Sequence, residues 1–221
     1  MDRKSRPLRI VLTGFGSFPG AAVNPAQAIV RRLLRARAPA LRLAGIDLHG
    51  DVLPVDYAGV EGAIIRLLQD ARPDGVLHLG LAGRRKVISV ETRARNRLNT
   101  IHPDAARKFA SGMALQNGGP AQRRSQFNTF RLKVAMLRAG APTAVSIDAG
   151  DYLCNQALWI TLSRFDGPAG FIHIPRPMRL TRPRGSQKTP RPTLAQMTRA
   201  IEAALREFAR QTRPRIRAIN G

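Results

Sequence analysis

Cys154 is the only cysteine in the 221 residues. It stands in Asp148-Ala149-Gly150-Asp151-Tyr152-Leu153-Cys154-Asn155, and Phe171-Ile172-His173-Ile174-Pro175 follows shortly after. A thiol attacks as the thiolate, and a helix N-terminus and a neighbouring imidazole are two ways of making one near neutral pH. Residues 148–151 read as a turn ending in an N-cap, with Tyr152, Leu153 and Cys154 in the first helical turn. There the positive end of the helix dipole favours an ionised sulfur. His173 closes a short β-branched, apolar run stopped by Pro175, which puts it at a strand terminus, where open α/β sheets place their chemistry. The structural alternative is a buried thiol acting as a small hydrophobe and a histidine satisfied at a strand end.

The elements that must hold these groups alternate along the chain. Residues 9–13 read as a strand, broken by the turn at 14–17. Asn24 caps a helix with Pro25 at its first position, and Ala26, Ile29, Val30, Leu33 and Leu34 recur on one face. Residues 41–46 and 51–55 are short strand candidates. Val60, Ile64, Ile65, Leu67 and Leu68 mark a second helix, stopped by Pro73-Asp74-Gly75, and strands follow at 76–79 and 86–92. Residues 99–125 are irregular and too long for a simple connection, which marks a functional or interface loop. A helix at about 130–138 ends at Gly140, and strands at 144–147 and 170–174 lead to the cysteine turn and carry His173. A basic Pro- and Arg-rich loop at about 176–192 precedes a C-terminal helix at about 193–210, capped by Thr193. This order predicts a single α/β domain over 1–221, a three-layer α/β/α fold with a twisted, mainly parallel central sheet.

Composition bounds the rest. A lone cysteine excludes an intramolecular disulfide and a cysteine-cluster metal site, and it fits a reducing, cytoplasmic setting. No metal or cofactor is expected. The formal charge of +23 comes mostly from arginine. Such an excess suits polyanions, but the arginines scatter along the whole chain with few aromatics between them. They read as a solvated surface, with nucleic acid held at most non-specifically. No segment reaches the roughly 18 to 20 apolar residues of a membrane span. The basic N-terminus and Ile10-Val11-Leu12 imitate a secretory signal, yet Arg9, Gly14, Gly16 and Pro19 interrupt the apolar run.

Four stretches together carry a resemblance to the pyroglutamyl peptidase I (pyrrolidone carboxyl peptidase) family of cysteine peptidases. Thr13-Gly14-Phe15-Gly16-Ser17-Phe18 followed by Asn24-Pro25 resembles its N-terminal motif, and Leu53-Pro54-Val55 its L-P-V. His78-Leu79-Gly80-Leu81-Ala82-Gly83 with Glu91 resembles its glutamate segment, and the cysteine and histidine stretches complete the order Glu, Cys, His. The resemblance implies hydrolysis of an N-terminal pyroglutamyl residue from peptides by a homo-oligomer, dimer or tetramer. It makes Cys154 the nucleophile, His173 its proton partner and Glu91 the carboxylate that orients the imidazole. Phe15 and Phe18 flank the lactam ring, and Asn24 lies near the substrate. Bacterial members commonly carry Gln at the position of Leu81 and Gly-Gly-Arg where this chain reads Gly83-Arg84-Arg85. The basic segment 92–104 has no residue assignable to the arginine that many members carry there, and Arg176 replaces a more usual aromatic or Pro. These departures leave the triad intact and bear on the lactam pocket. The other readings are an altered paralogue acting on another N-blocked amide, and a non-catalytic basic protein that binds polyanions.

Overall fold

Leu8–Phe15 is buried along nearly its whole length. A strand with few solvent-facing positions must be covered on both faces, as in the middle of a parallel sheet. In the computed structural model, which describes residues 6–18, 21–35, 39–178 and 191–219, this segment is strand β1, flanked by other strands on both sides. The chain continues through α1 (Pro25–Arg35), α2 (Pro39–Leu43), β2 (Ile46–His49), β3 (Val52–Leu53), α3 (Gly59–Ala71), β4 (Gly75–Leu81), β5 (Ile88–Glu91) and β6 (Arg93–Arg95). It ends with β7 (Gln122–Arg124), α4 (Thr129–Arg138), β8 (Thr143–Ser146), α5 (Leu153–Arg164), β9 (Ala169–Ile174) and α6 (Leu194–Ile219). The main sheet runs β2-β1-β4-β9-β5-β8, and β3 also pairs with β1. Every pairing in it is parallel except β5 with β9.

Two layers of helix cover this sheet. Helices α1, α4 and α6 pack on one face, where Ile29, Val30, Leu33, Leu132, Met136, Met197, Ile201, Leu205 and Phe208 meet Ile10, Leu12, Leu77, Leu79, Ile172 and Ile174. Helices α3 and α5 pack on the other, where Val60, Ile64, Leu158 and Leu162 meet Val11, Val76 and Phe171. This is the expected three-layer α/β architecture. Alternation along β4 and β9 sends His78, Phe171 and His173 to the α3/α5 side. His78 is a satisfied core histidine: Thr13 Oγ1 lies 2.6 Å from its Nδ1 and Thr161 Oγ1 2.8 Å from its Nε2. Burial lowers its pKa to about 3, so it stays neutral.

Several boundaries differ from the sequence reading. Residues 41–46 do not form a strand: Pro39 opens the short helix α2, Gly45 at φ +66 ends the turn, and the strand begins at Ile46. Pro suits the first helical position and Ala, Leu and Arg are strong helix formers, so local propensity prevails here. The stretch at 99–125 is not wholly irregular, because β7 pairs antiparallel with β6. Helix α6 continues past 210, through Pro214, to Ile219. Arg213 fastens it to the α2–β2 turn by donating from Nη2 to the carbonyls of Ala44 and Gly45 at 2.7 and 3.2 Å. Its start is the expected cap: Thr193 Oγ1 accepts from Gln196 N, and Gln196 Oε1 accepts from Thr193 N at 2.8 Å. Most of the basic loop expected at 176–192 falls at 179–190, outside the described residues. Among the described residues no helix is long and apolar enough to cross a membrane.

Candidate active site

His173 sits on β9 with its ring 4.7 Å from that of Phe171, on the face covered by α5. Its register partner across the parallel β4–β9 pairing is Gly80. A Cβ at Gly80 would meet the sulfur of Cys154 at 2.7 Å and the Phe171 ring at 2.6 Å. The sulfur therefore rests on the strand pair that carries His173, in space that only glycine leaves open. Cys154 and His173, distant in the chain, thus approach one patch of the sheet.

The helix that presents Cys154 starts one residue later than its sequence suggests. Tyr152, extended at φ −96 and ψ −166, is the N-cap of α5 and makes no side-chain cap bond. Asp151, the expected cap, instead accepts from Asn99 Nδ2 at 2.8 Å. Gly150 turns the chain at φ +82 and donates its N–H to Asp148 Oδ1 at 3.0 Å. Cys154 is still in the first turn, where backbone N–H groups lack intrahelical acceptors. Next to it, fully buried Asn155 clamps the strand β6: its Oδ1 accepts from Arg95 N at 2.8 Å, and its Nδ2 donates to the carbonyls of Arg95 and Arg97. Beyond it the Arg123 guanidinium lies 5.0 Å over the Trp159 ring, so segments from 93–124 cover the outer side of α5.

Glu91 ends β5, opposite Phe171 in the antiparallel β5–β9 pair and diagonal to His173. Its side chain is inaccessible to solvent. Oε1 accepts from His173 Nδ1 at 2.8 Å and from Arg85 Nη1 at 2.6 Å, while Oε2 has no partner among the described residues. Arg85 Nη2 also donates to the carbonyl of Asp148 at 2.7 Å, in the turn before α5. Glu91 on Nδ1 leaves Nε2 as the ring nitrogen available to a proton from sulfur.

Electrostatics here differ from the expectation of a thiolate at rest. Burial pushes the Cys154 thiol up to about 12, and the Glu91 charge adds to the rise. Arg85 and the residue's own backbone N–H pull it down without reversing it. The His173 imidazole moves the other way: burial lowers its pKa, and Glu91 opposes this through its hydrogen bond and its charge. A helix terminus favours an anion by about 1 kcal/mol, whereas full burial can shift a titration by several units. Burial wins, and it pushes both the thiol and the imidazole toward their neutral forms.

The aromatic candidates join the same apolar cluster as the cysteine. Phe15 is almost fully buried there with Leu53 and Val55, while Phe18, Tyr57, Tyr152 and Cys154 pack against it from partly exposed positions. Asn24 is buried and spends both side-chain functions on the chain itself. Its Oδ1 accepts from Ala26 N at 3.0 Å and its Nδ2 donates to Gly16 O at 2.9 Å. It thus caps α1, as its sequence suggests, and braces the turn between Phe15 and Phe18. Sequence reasoning passed over Gly80, Arg85 and Asn155. Arg85 shows there only as the last residue of the stretch that stands where many members have Gly-Gly-Arg, and Gly80 and Asn155 only as parts of motifs. Among the described residues no cluster of His, Cys, Asp and Glu could hold a metal.

A sequence model described as pyroglutamyl peptidase matches residues 8–211. The chain is 34% identical over 176 residues to the pyrrolidone-carboxylate peptidase of Thermococcus onnurineus, covering 76% of this chain and 84% of the relative. Its fold is similar to that of pyroglutamyl peptidase I from Bacillus amyloliquefaciens, with a TM-score of 0.79 and 27% identity over 93% of this chain and 98% of that one. It is likewise similar to pyrrolidone carboxyl peptidase from Thermus thermophilus, with a TM-score of 0.77 and 34% identity over 90% and 99% of the two chains.

Proposed function

The chain belongs to the pyroglutamyl peptidase family of cysteine peptidases, and from that membership we propose that Cys154, His173 and Glu91 are the triad with which it removes N-terminal pyroglutamyl residues. The observation that supports this most is the seating of the Cys154 sulfur over Gly80, the register partner of a histidine whose other side is bonded to a buried carboxylate. As the sulfur attacks the pyroglutamyl carbonyl carbon, its proton passes to His173 Nε2, and the Glu91 carboxylate stabilises the imidazolium. The oxygen that becomes negative accepts from the backbone N–H of Cys154, which has no intrahelical acceptor at the helix start. Collapse breaks the C–N bond, and His173 returns the proton to the leaving amine. Water, deprotonated by the same imidazole, then hydrolyses the thioester and releases pyroglutamate and free enzyme.

The lactam is chosen by what the pocket refuses. Phe15 and Phe18 offer apolar faces to a flat neutral ring, and a charged α-amine there is stripped of water without an acceptor. Leu81 supplies no side-chain hydrogen bond, so the specificity rests on exclusion and shape. The expected result is release of aminomethylcoumarin from its pyroglutamyl amide and, by comparison, on the order of a thousandfold less from the prolyl amide. Comparable kcat/KM on both overturns this pocket, and turnover confined to some other blocked amide favours the altered-paralogue reading.

The basic segment after His173 extends the specificity outward. A Cβ on Gly83 would lie 3.0 Å from Arg176 Nε, and Arg191 Nη1 donates to Gly83 O at 3.2 Å. Both cations therefore border the β4–β5 turn beside the site, whereas Arg179, Arg182, Arg184 and Lys188 lie outside the described residues. Peptides with an acidic residue just after pyroglutamate should be favoured. Arg176→Glu is expected to raise their KM by about fivefold, an exposed-pair effect, and to spare neutral peptides. Equal changes for both classes remove the segment from recognition.

A further inference from the structure

We infer that Arg85 is a positioning residue of the reaction, one guanidinium that fixes the carboxylate behind His173 and the turn that launches Cys154 in a single relative placement. The inference rests on the triad reading. Nη1 meets Glu91 Oε1, the oxygen that also accepts from His173 Nδ1, and Nη2 meets the Asp148 carbonyl ahead of α5. The planar fork thus joins β5 to the β8–α5 turn, and a shift of either end moves imidazole against sulfur. A lysine offers a compact point charge on a flexible stem and cannot reproduce two fixed, diverging donors. Its charge matters as well. Without Arg85, the inaccessible Glu91 charge faces the imidazole with no cation bonded to it.

The charged and titratable groups around this centre are Arg85 from the β4–β5 turn, Glu91 from β5, Asp148 from the turn before α5 and Cys154 from α5 itself. Arg95 stands 3.6 Å behind Asp148, and Arg176 and Arg191 border Gly83. Within this set Arg85 pulls both the imidazole and the thiol titrations down. Without the guanidinium the imidazolium persists to higher pH, so the acid limb of kcat/KM moves up. The thiol is also harder to ionise, so the alkaline limb moves up with it.

The test is the pH profile of kcat/KM on pyroglutamyl aminomethylcoumarin, which carries no titrating group in this range, for wild type, Arg85→Gln and Arg85→Lys. Arg85→Gln is expected to lose on the order of a hundredfold in kcat with a smaller change in KM, and to move both limbs alkaline by about one unit. Arg85→Lys should hold the limbs near those of wild type yet recover only part of kcat. Limbs that stay in place in Arg85→Gln overturn the electrostatic part, whatever the rate. Full wild-type kcat in Arg85→Lys overturns the two-ended positioning, and this variant decides the matter alone if Arg85→Gln does not fold. Failure of the triad itself reads differently, as undiminished activity in Glu91→Gln. If Arg85→Gln is silent while Glu91→Gln is impaired, the triad stands and only the role of Arg85 falls.

Discussion

Cys154→Ser is expected to lower kcat on a pyroglutamyl amide by on the order of ten-thousandfold or more while leaving the fold intact. The sulfur lies between α5 and the β4–β9 strand pair, where burial already pushes a thiol up to about 12. A hydroxyl starts several units higher and suffers the same desolvation, so His173 cannot draw off its proton at useful cost. Because no other thiol exists in the chain, iodoacetamide offers a second measurement. One adduct per chain should form, and activity should fall in step with it. The push toward neutral forms adds a rate: at about pH 6, labelling of the free enzyme should run no faster than that of a model thiol. Faster labelling would mean that a thiolate–imidazolium pair exists before substrate arrives. Residual turnover in the serine variant near that of wild type would remove Cys154 as nucleophile.

The sequence made the order of helices and strands legible because most elements carry their own pattern. The helical spacing of Ile29, Val30 and Leu33 survives in α1, and the caps at Asn24 and Thr193 are where their residue types place them. What misled was local ambiguity. Leu41 to Ile46 is apolar enough for a strand, but Pro39 and Gly45 set a helical turn there. Asp151 has the chemistry of a cap, yet its carboxylate is drawn to Asn99, a partner from a distant loop. The site residues divide the same way. Cys154, His173 and Glu91 belong to types that do chemistry and fall in recognisable stretches. Gly80 matters only because strand pairing sets it beside His173 and under the sulfur, and Arg85 only because the β5–β9 pair brings Glu91 to the imidazole. The sign of the thiol shift was equally hidden. Helix polarity can be read from spacing, whereas the burial that outweighs it is a property of the packed fold.

His173→Ala should cost on the order of a thousandfold or more in kcat, and Glu91→Gln distinctly less. In the proposed mechanism the histidine takes the proton from sulfur, returns it to the leaving amine and later activates water, so its loss should disable every step at once. Glu91 touches none of the reacting atoms. It accepts from Nδ1 at 2.8 Å, holds the tautomer that leaves Nε2 toward sulfur, and offsets the charge that appears on the ring. Glutamine keeps the size and can keep one hydrogen bond, but it removes the negative charge, and its amide can turn a donor toward the ring. The direction of the pH effect separates this from simple misplacement. Glu91 raises the buried imidazole's pKa through both its hydrogen bond and its charge. Glu91→Gln should therefore move the acid limb of kcat/KM to lower pH, opposite to the shift expected for Arg85→Gln. A rate loss with an unmoved limb would make Glu91 a packing residue, and wild-type activity would end its assignment to the triad while sparing the pair of Cys154 and His173.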